Sequence, residues 1–232
     1  PDGVQKGVVY IKNGLIDDIL PELLPERTVD VVDIQNNILM PGVIDPHVHI
    51  NEPGRTDWEG FDTATRAAIA GGITTLVDMP LNSSPVTTTV EAFEQKIAAT
   101  YGKLHTACGF WGGLVPGNTN EIDKLIDKGV LGFKAFLTHS GIDDFPNVTE
   151  EDLRKAMPII ARHNVPLLVH CELSTDDALA TGDVRSYANY LSSRPNAWED
   201  KAIAMMIRLC AVWNCRSLCV LLGAANSSDR SA

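Results

Sequence analysis

No apolar run in these 232 residues approaches the roughly 20 consecutive positions that a membrane-spanning helix requires. Basic residues are also scarce, with 19 Lys and Arg against 30 Asp and Glu and a formal net charge of −11. That balance argues against nucleic acid or an anionic membrane as a partner. Cysteine is sparse and odd in number: Cys108, Cys171, Cys210, Cys215 and Cys219 share no zinc-finger spacing. Three of them sit among apolar neighbours, which predicts buried free thiols in a reducing compartment. No GxGxxG or GxxxxGK[ST] follows an expected strand, so a nucleotide-binding sheet has no motif behind it. The N-terminus carries no signal-peptide pattern. The expectation is an intracellular, soluble chain, in the cytoplasm or else the peroxisome.

What is present is an ordinary globular composition, 44% hydrophobic and 21% charged, long enough for one large domain or two small ones. Residues 8–34 read as short strands, with a turn at Asn13-Gly14 in "VVYIKNGLIDDIL" and partial alternation in "TVDVVDI". This predicts part of a small β-sandwich layer over residues 1–38. From residue 39 to 232, short apolar runs alternate with longer amphipathic stretches. Strands are expected near 39–47, 73–79, 104–111, 130–136, 165–171 and 217–222. Helices are expected near 60–70, 89–101, 119–128, 149–163 and 197–212, the fourth opening on a capping box of Thr149 and Asp152. Apolar strands alternating with helices predict an α/β fold with a parallel sheet. A (β/α)₈ barrel and an open doubly wound sheet both fit that order.

Placing the unusual residues favours the barrel. His47, Lys134 and His170 all fall at or near the C-terminal ends of expected strands, where barrel enzymes carry their chemistry. His47 and His49 form H-x-H, and period-two alternation puts both imidazoles on one face, able to grip one metal ion. Taken alone the pair can also be a structural accident. Asp45 shares the face and could orient a ligand. Lys134 is the sole charge in "VLGFKAFL". It is read either as a lysine reaching out from a strand end or as one whose amine has reacted with CO₂ to bridge two ions. His170 in isolation reads as a core histidine. His105 starts a strand, His163 lies at a helix's polar end, and His139 is placed to meet solvent or substrate.

Together His47, His49, Lys134 and His170 resemble the cyclic amidohydrolase branch of the amidohydrolase superfamily. Those barrels carry H-x-H on strand 1, a carbamylated lysine on strand 4 and a histidine on strand 5. Within the branch, the stretches "PGVIDPHVHINEPGRTDWEGFDTATRAAIAGGITTLVDMPLN", "GFWGGLV", "GVLGFKAFL", "LLVHCE" and "YLSSRPNAWEDKAI" are similar to allantoinases over about residues 1–210. Dihydroorotases of this frame hold a substrate carboxylate with arginine where Asn51 stands. Dihydropyrimidinases and hydantoinases lack "EPGRTDWEGF" and "MPLN". The resemblance implies hydrolysis of the ring amide of allantoin by two divalent ions, zinc expected. His47 and His49 would sit on one ion, carbamylated Lys134 between the two, and His170 on the second. It also implies a small-molecule substrate and a homo-oligomer, a tetramer as in the family, with Asn82 and Arg55 near the site in unassigned roles.

The pattern calls for two more residues, a strand-6 histidine and a strand-8 aspartate acting as general base. In the family, strand 6 carries two histidines three apart; Leu218 and Leu221 stand about where they belong, and no aspartate fills the second role, so no catalytic residue is expected to be retained. The expectation is an incomplete barrel of about five and a half βα units, truncated or altered after about residue 210. A dihydropyrimidinase or hydantoinase and a non-catalytic relative remain the competing readings.

Overall fold

The computed structural model describes residues 3–25, 30–175, 182–183, 185–220 and 223. The chain divides into two compact units, Pro1–Pro41 and Gly42–Ala232. In the first, β1 (Val8–Lys12) and β2 (Leu15–Leu20) form an antiparallel hairpin. Asn13 (φ 54) and Gly14 (φ 78) both adopt left-handed backbone, as a tight two-residue hairpin turn demands. The strand expected in "TVDVVDI" does not form in its described part, because residues 30–34 meet no partner strand. Its first two residues lie outside the described set.

The second unit alternates strand and helix from Val43 onward. Its elements are β3 (Val43–Val48), α1 (Phe61–Ala70), β4 (Ile73–Asp78), α2 (Val90–Ala99), β5 (Ala107–Phe110), β6 (Gly112–Gly113) and α3 (Ile122–Asp127). They continue with β7 (Phe133–Phe136), α4 (Glu150–Arg162), β8 (Leu167–His170), α5 (Tyr187–Ser192), α6 (Asn196–Trp213) and β9 (Ser217–Cys219). All pairings in this unit are parallel, in the orders β3-β4-β5 and β6-β7-β8-β9. The two ladders share one stretch of chain. Phe110 O accepts from Leu131 N, Trp111 N donates to Asp78 O, and Gly112 N donates to Gly132 O, so residues 107–113 pass from one neighbour to the other.

The helices form for local reasons. Thr89 caps α2 by accepting from Ala92 N, and Thr149 and Asp152 close a full capping box on α4. The Glu52 carboxylate accepts from Phe61 N at the start of α1 and is held by Lys103. On α4, Leu153, Ala156, Met157 and Ile160 recur at helical spacing and are fully buried. Alternation along the strands separates two faces. Phe133, Ala135, Leu167 and Val169 join the core cluster that includes α4 and α6 residues, whereas Lys134, Phe136 and Leu168 point the other way.

Most expected elements are present with shorter bounds, since loops occupy the strand ends. One helix, α5, was not anticipated. Its six residues show no apolar stripe, and its start is set by Ser186 accepting from Asn189 N. Residues 221–222 of the last expected strand, Leu221 among them, lie outside the described residues. All five cysteines are free; Cys171 and Cys215 are buried, while Cys108, Cys210 and Cys219 are only half-buried. Among the described residues, no helix is long and apolar enough to cross a membrane.

Candidate metal centre

Three strands deliver the candidate residues to one place. His47 is the fifth residue of β3 and His49 follows its end, with ring centroids 5.3 Å apart. Lys134 is the second residue of β7, and His170 is the last of β8. His47, His49, Lys134 and His170 line one cavity of about 350 Å³ with Asn82, Leu81, Phe136 and Ser140. Arg55 is not on this wall; its guanidinium lies over Trp58, 5.4 Å from the ring centroid.

The end of β3, with the turn that follows it, is held by β4 and α2. Val48 O accepts from Met79 N at 2.7 Å, and Ile50 N donates to the Asp78 carboxylate at 2.7 Å. Asp78 also pairs with Lys96 at 2.6 Å, both side chains essentially without solvent contact. Lys96 donates further to Met79 O at 3.0 Å. Burial pushes the Asp78 carboxyl above its ordinary value, against the opposing pull of Lys96 and the Ile50 N–H. Asp45 does something different from what its place on the face suggested. It accepts from the backbone N of His47 at 3.0 Å and so fixes the chain rather than an imidazole.

Each imidazole is set by its neighbours. His49 Nδ1 lies 2.7 Å from Leu81 O, an acceptor only, so Nδ1 carries a proton, and in the neutral ring the lone pair is on Nε2. Burial holds His47 below the ordinary imidazole value, and the charges of Lys134 and His49 lower it further. A neutral imidazole is the metal-binding form. His170 stacks on Phe136 at 5.2 Å, and its Nε2 lies 3.2 Å from Glu172, which Arg194 grips at 3.0 and 3.2 Å. Phe136 and His170 are register partners across β7 and β8.

Lys134 is the anomaly. Its side chain is 1% exposed, yet among the described residues its ammonium has no hydrogen-bond or ion-pair partner, only the Phe136 ring at 4.6 Å. Burial pushes its pKa down from 10.5 to about 8. At pH 8 about half such amines are neutral, roughly 150-fold more than for an ordinary lysine at about 0.3%. A neutral, enclosed amine is the nucleophile that carbon dioxide requires.

Among the described residues, no three His, Cys, Asp or Glu side chains as they stand make a ligand group. The donor set nevertheless fits metal chemistry once lysine is counted. Three imidazoles and an uncompensated buried amine line one cavity, and conversion of that amine to an anion would remove the unpaired positive charge. The other histidines are engaged elsewhere. His105 pairs with Asp62 at 2.8 Å, His163 with Asp123 at 2.6 Å, and exposed His139 with Asp143 at 3.3 Å, away from the cavity wall.

Leu81, Phe136 and Ser140 were not anticipated on the wall. Phe136 could have been found, because it lies two residues beyond Lys134 on the same strand face. Leu81 and Ser140 belong to loops, where no period reports direction. Ser140 is held by its bonds to Phe145 O at 2.6 Å and Ile142 O at 3.1 Å.

Residues 38–211 match the model of the Amidohydrolase family. The chain belongs to that family. Curated relatives within it include the allantoinase of Arabidopsis thaliana, 44% identical over 217 residues, which covers 89% of this chain and 43% of that protein. The allantoinase of Streptomyces avermitilis is 46% identical over 211 residues, covering 89% of this chain and 47% of that protein. Among solved structures, the L-hydantoinase (dihydropyrimidinase) from Arthrobacter aurescens superposes with a TM-score of 0.87 at 29% identity, over 98% of this chain and 52% of that one. The chain thus spans about half the length of the relatives it matches.

Proposed function

We propose that the cavity is a binuclear metal centre that hydrolyses the ring amide of allantoin to allantoate. The observation that carries this reading is the convergence of three imidazoles on a buried lysine without a counter-charge. In this reading the neutral Lys134 amine attacks carbon dioxide, a C–N bond forms and a proton leaves. The resulting carbamate would offer two oxygen donors. His47 and His49 would hold one ion, and His170 with the carbamate would help hold the second. Bound there, two divalent ions, with zinc suited to imidazole donors, supply Lewis-acid polarisation of an amide carbonyl and an acidified water.

The chain's own residues do the rest. The Leu81 carbonyl keeps the His49 proton on Nδ1, so its lone pair faces away from that bond. Asp78 and Lys96 fix the turn that follows His49. Asn82 offers an amide donor and acceptor that match a ureide. Among the described residues no aspartate lines the cavity to accept a proton, and Leu218, on β9, is exposed where the resemblance calls for a histidine. The second ion therefore has fewer donors from this chain than the first and is expected to bind more weakly.

Identity of 44–46% to proteins named allantoinases, against 29% to the hydantoinase, favours allantoin. The structural likeness to that hydantoinase supports a hydantoin or dihydropyrimidine as the second reading. In the same proposal, residues 1–38 are a partial β-sandwich layer, residues 39–232 follow the (β/α)₈ plan, and the assembly is a homo-oligomer.

The test supplies the purified chain with zinc and bicarbonate and measures bound metal and allantoate formed, with Lys134→Ala as control. Binding of about two ions per chain, with turnover lost in Lys134→Ala, is the expected result. Equal zinc content in both proteins without turnover refutes the centre. Faster turnover of hydantoin or dihydrouracil transfers the assignment to the second reading.

A further inference from the structure

Immediately beyond His170 lies Cys171, whose buried sulfur makes no contribution to the proposed centre. Its Sγ stands 3.1 Å from Cys219 Sγ on the neighbouring strand, although the two are 48 residues apart in sequence. The pair is set by the sheet. β8 and β9 run parallel with Val169 opposite Cys219, and Val220 N donates to Val169 O at 3.1 Å. Neither thiol is bonded covalently. Cys171 is 2% exposed and packed in the core, whereas Cys219 is half-buried. The remaining cysteines bond other groups: Cys108 faces Gly109 O, Cys215 faces Arg216 O, and Cys210 bonds Ser217.

A disulfide has sulfurs about 2.05 Å apart. From the contact seen here, closure requires the two side chains to approach by about 1 Å, while the strands stay in register. We propose that Cys171 and Cys219 form an oxidative modification site at which a hydroperoxide generates an intramolecular disulfide between the end of β8 and β9. The chemistry balances in two steps. The Cys219 sulfur, the one solvent reaches, attacks a peroxide oxygen; the O–O bond breaks, giving a sulfenic acid, with water leaving when hydrogen peroxide is the oxidant. The Cys171 sulfur then attacks the Cys219 sulfur, the S–O bond breaks, and hydroxide leaves with the Cys171 proton as a second water. Two thiols lose two electrons and the peroxide gains them. The bond closes a loop containing α5 and α6, which restricts the unfolded chain and favours the folded one. This inference is independent of the metal reading.

The experiment treats the reduced 232-residue chain with a small excess of hydrogen peroxide. Free thiols are then counted by alkylation and mass, and peptides are mapped without reduction. The expected result is a fall from five free thiols to three, a single Cys171–Cys219 cross-linked peptide, and a urea midpoint that rises on oxidation and returns with dithiothreitol. Cys219→Ser retains all four of its thiols under the same treatment, whereas Cys171→Ala forms no cross-link and stops at a Cys219 sulfenic acid, which dimedone traps. Should Cys171→Ala fail to fold, the half-buried Cys219→Ser carries the comparison. A bridge mapped to Cys210 or Cys215, a bridge between two chains, or Cys219 oxidised to sulfinic acid with Cys171 still free overturns the proposal.

Discussion

Removing Lys96 should destabilise this protein more than almost any other single change to a charged residue. The Lys96–Asp78 pair is shielded from solvent at both ends, and its 2.6 Å contact is backed by Ile50 N on the carboxylate and Met79 O on the ammonium. Lys96→Met keeps the stem's volume but strands Asp78 as an uncompensated buried carboxylate, at a cost of about 3–5 kcal/mol. With a urea m-value of about 3 kcal/mol/M for a chain of this size, the midpoint falls by roughly 1–1.7 M. The variant also acquires a pH signature. Burial already raises the Asp78 pKa above 3.8, and loss of Lys96 removes the largest of the groups that oppose the rise. The folded state then holds a proton that the unfolded state has released, so the variant loses stability as pH climbs above 3.8. The deficit is complete once pH exceeds the raised value. Asp78→Asn in the same background keeps an acceptor for Ile50 N and should recover most of the loss. Urea melts of the wild type, Lys96→Met and the double variant decide the matter. A single-variant loss under about 1 kcal/mol, or a double variant no more stable than the single, refutes the reasoning.

Lys134 gives a second pH dependence of opposite sign. In metal-free, carbonate-free buffer its folded pKa of about 8 lies below the unfolded 10.5, so the unfolded state binds more protons between them. Stability should rise across that window by about 3 kcal/mol, and Lys134→Met should abolish the rise in urea melts at stepped pH. Thr149→Ala removes the hydroxyl that accepts from Asp152 N in the α4 capping box, and should cost about 1 kcal/mol, with Thr149→Ser near neutral.

Much of the architecture was legible because it depends on local periods. Asn13-Gly14 predicts its own turn, since both positions need left-handed backbone and tolerate it. Thr149 and Asp152 announce α4 by reciprocal bonds three residues apart. The pleat alone puts His47 and His49 on one face, and Lys134 and Phe136 on another strand's matching face. The "TVDVVDI" strand failed in its described part because a strand needs a partner, which no local pattern supplies. The shortfall of α5 is the reverse case: six residues too few for a period to show, started by one serine side chain.

The chain's order of residues therefore determined most of the strands and helices, which way alternate side chains point, and that His47, His49, Lys134 and His170 fall on or just beyond strands. Only tertiary structure decided that β3, β7 and β8 open on one cavity, with Leu81 and Ser140 completing its wall. It alone brought Lys96 to Asp78 and Cys171 to Cys219, and turned Asp45 to its own backbone. The physical reason is that side-chain direction along a strand is set by the two neighbouring peptide units. Contact between strands is set by register and sheet curvature, to which the whole packed core contributes.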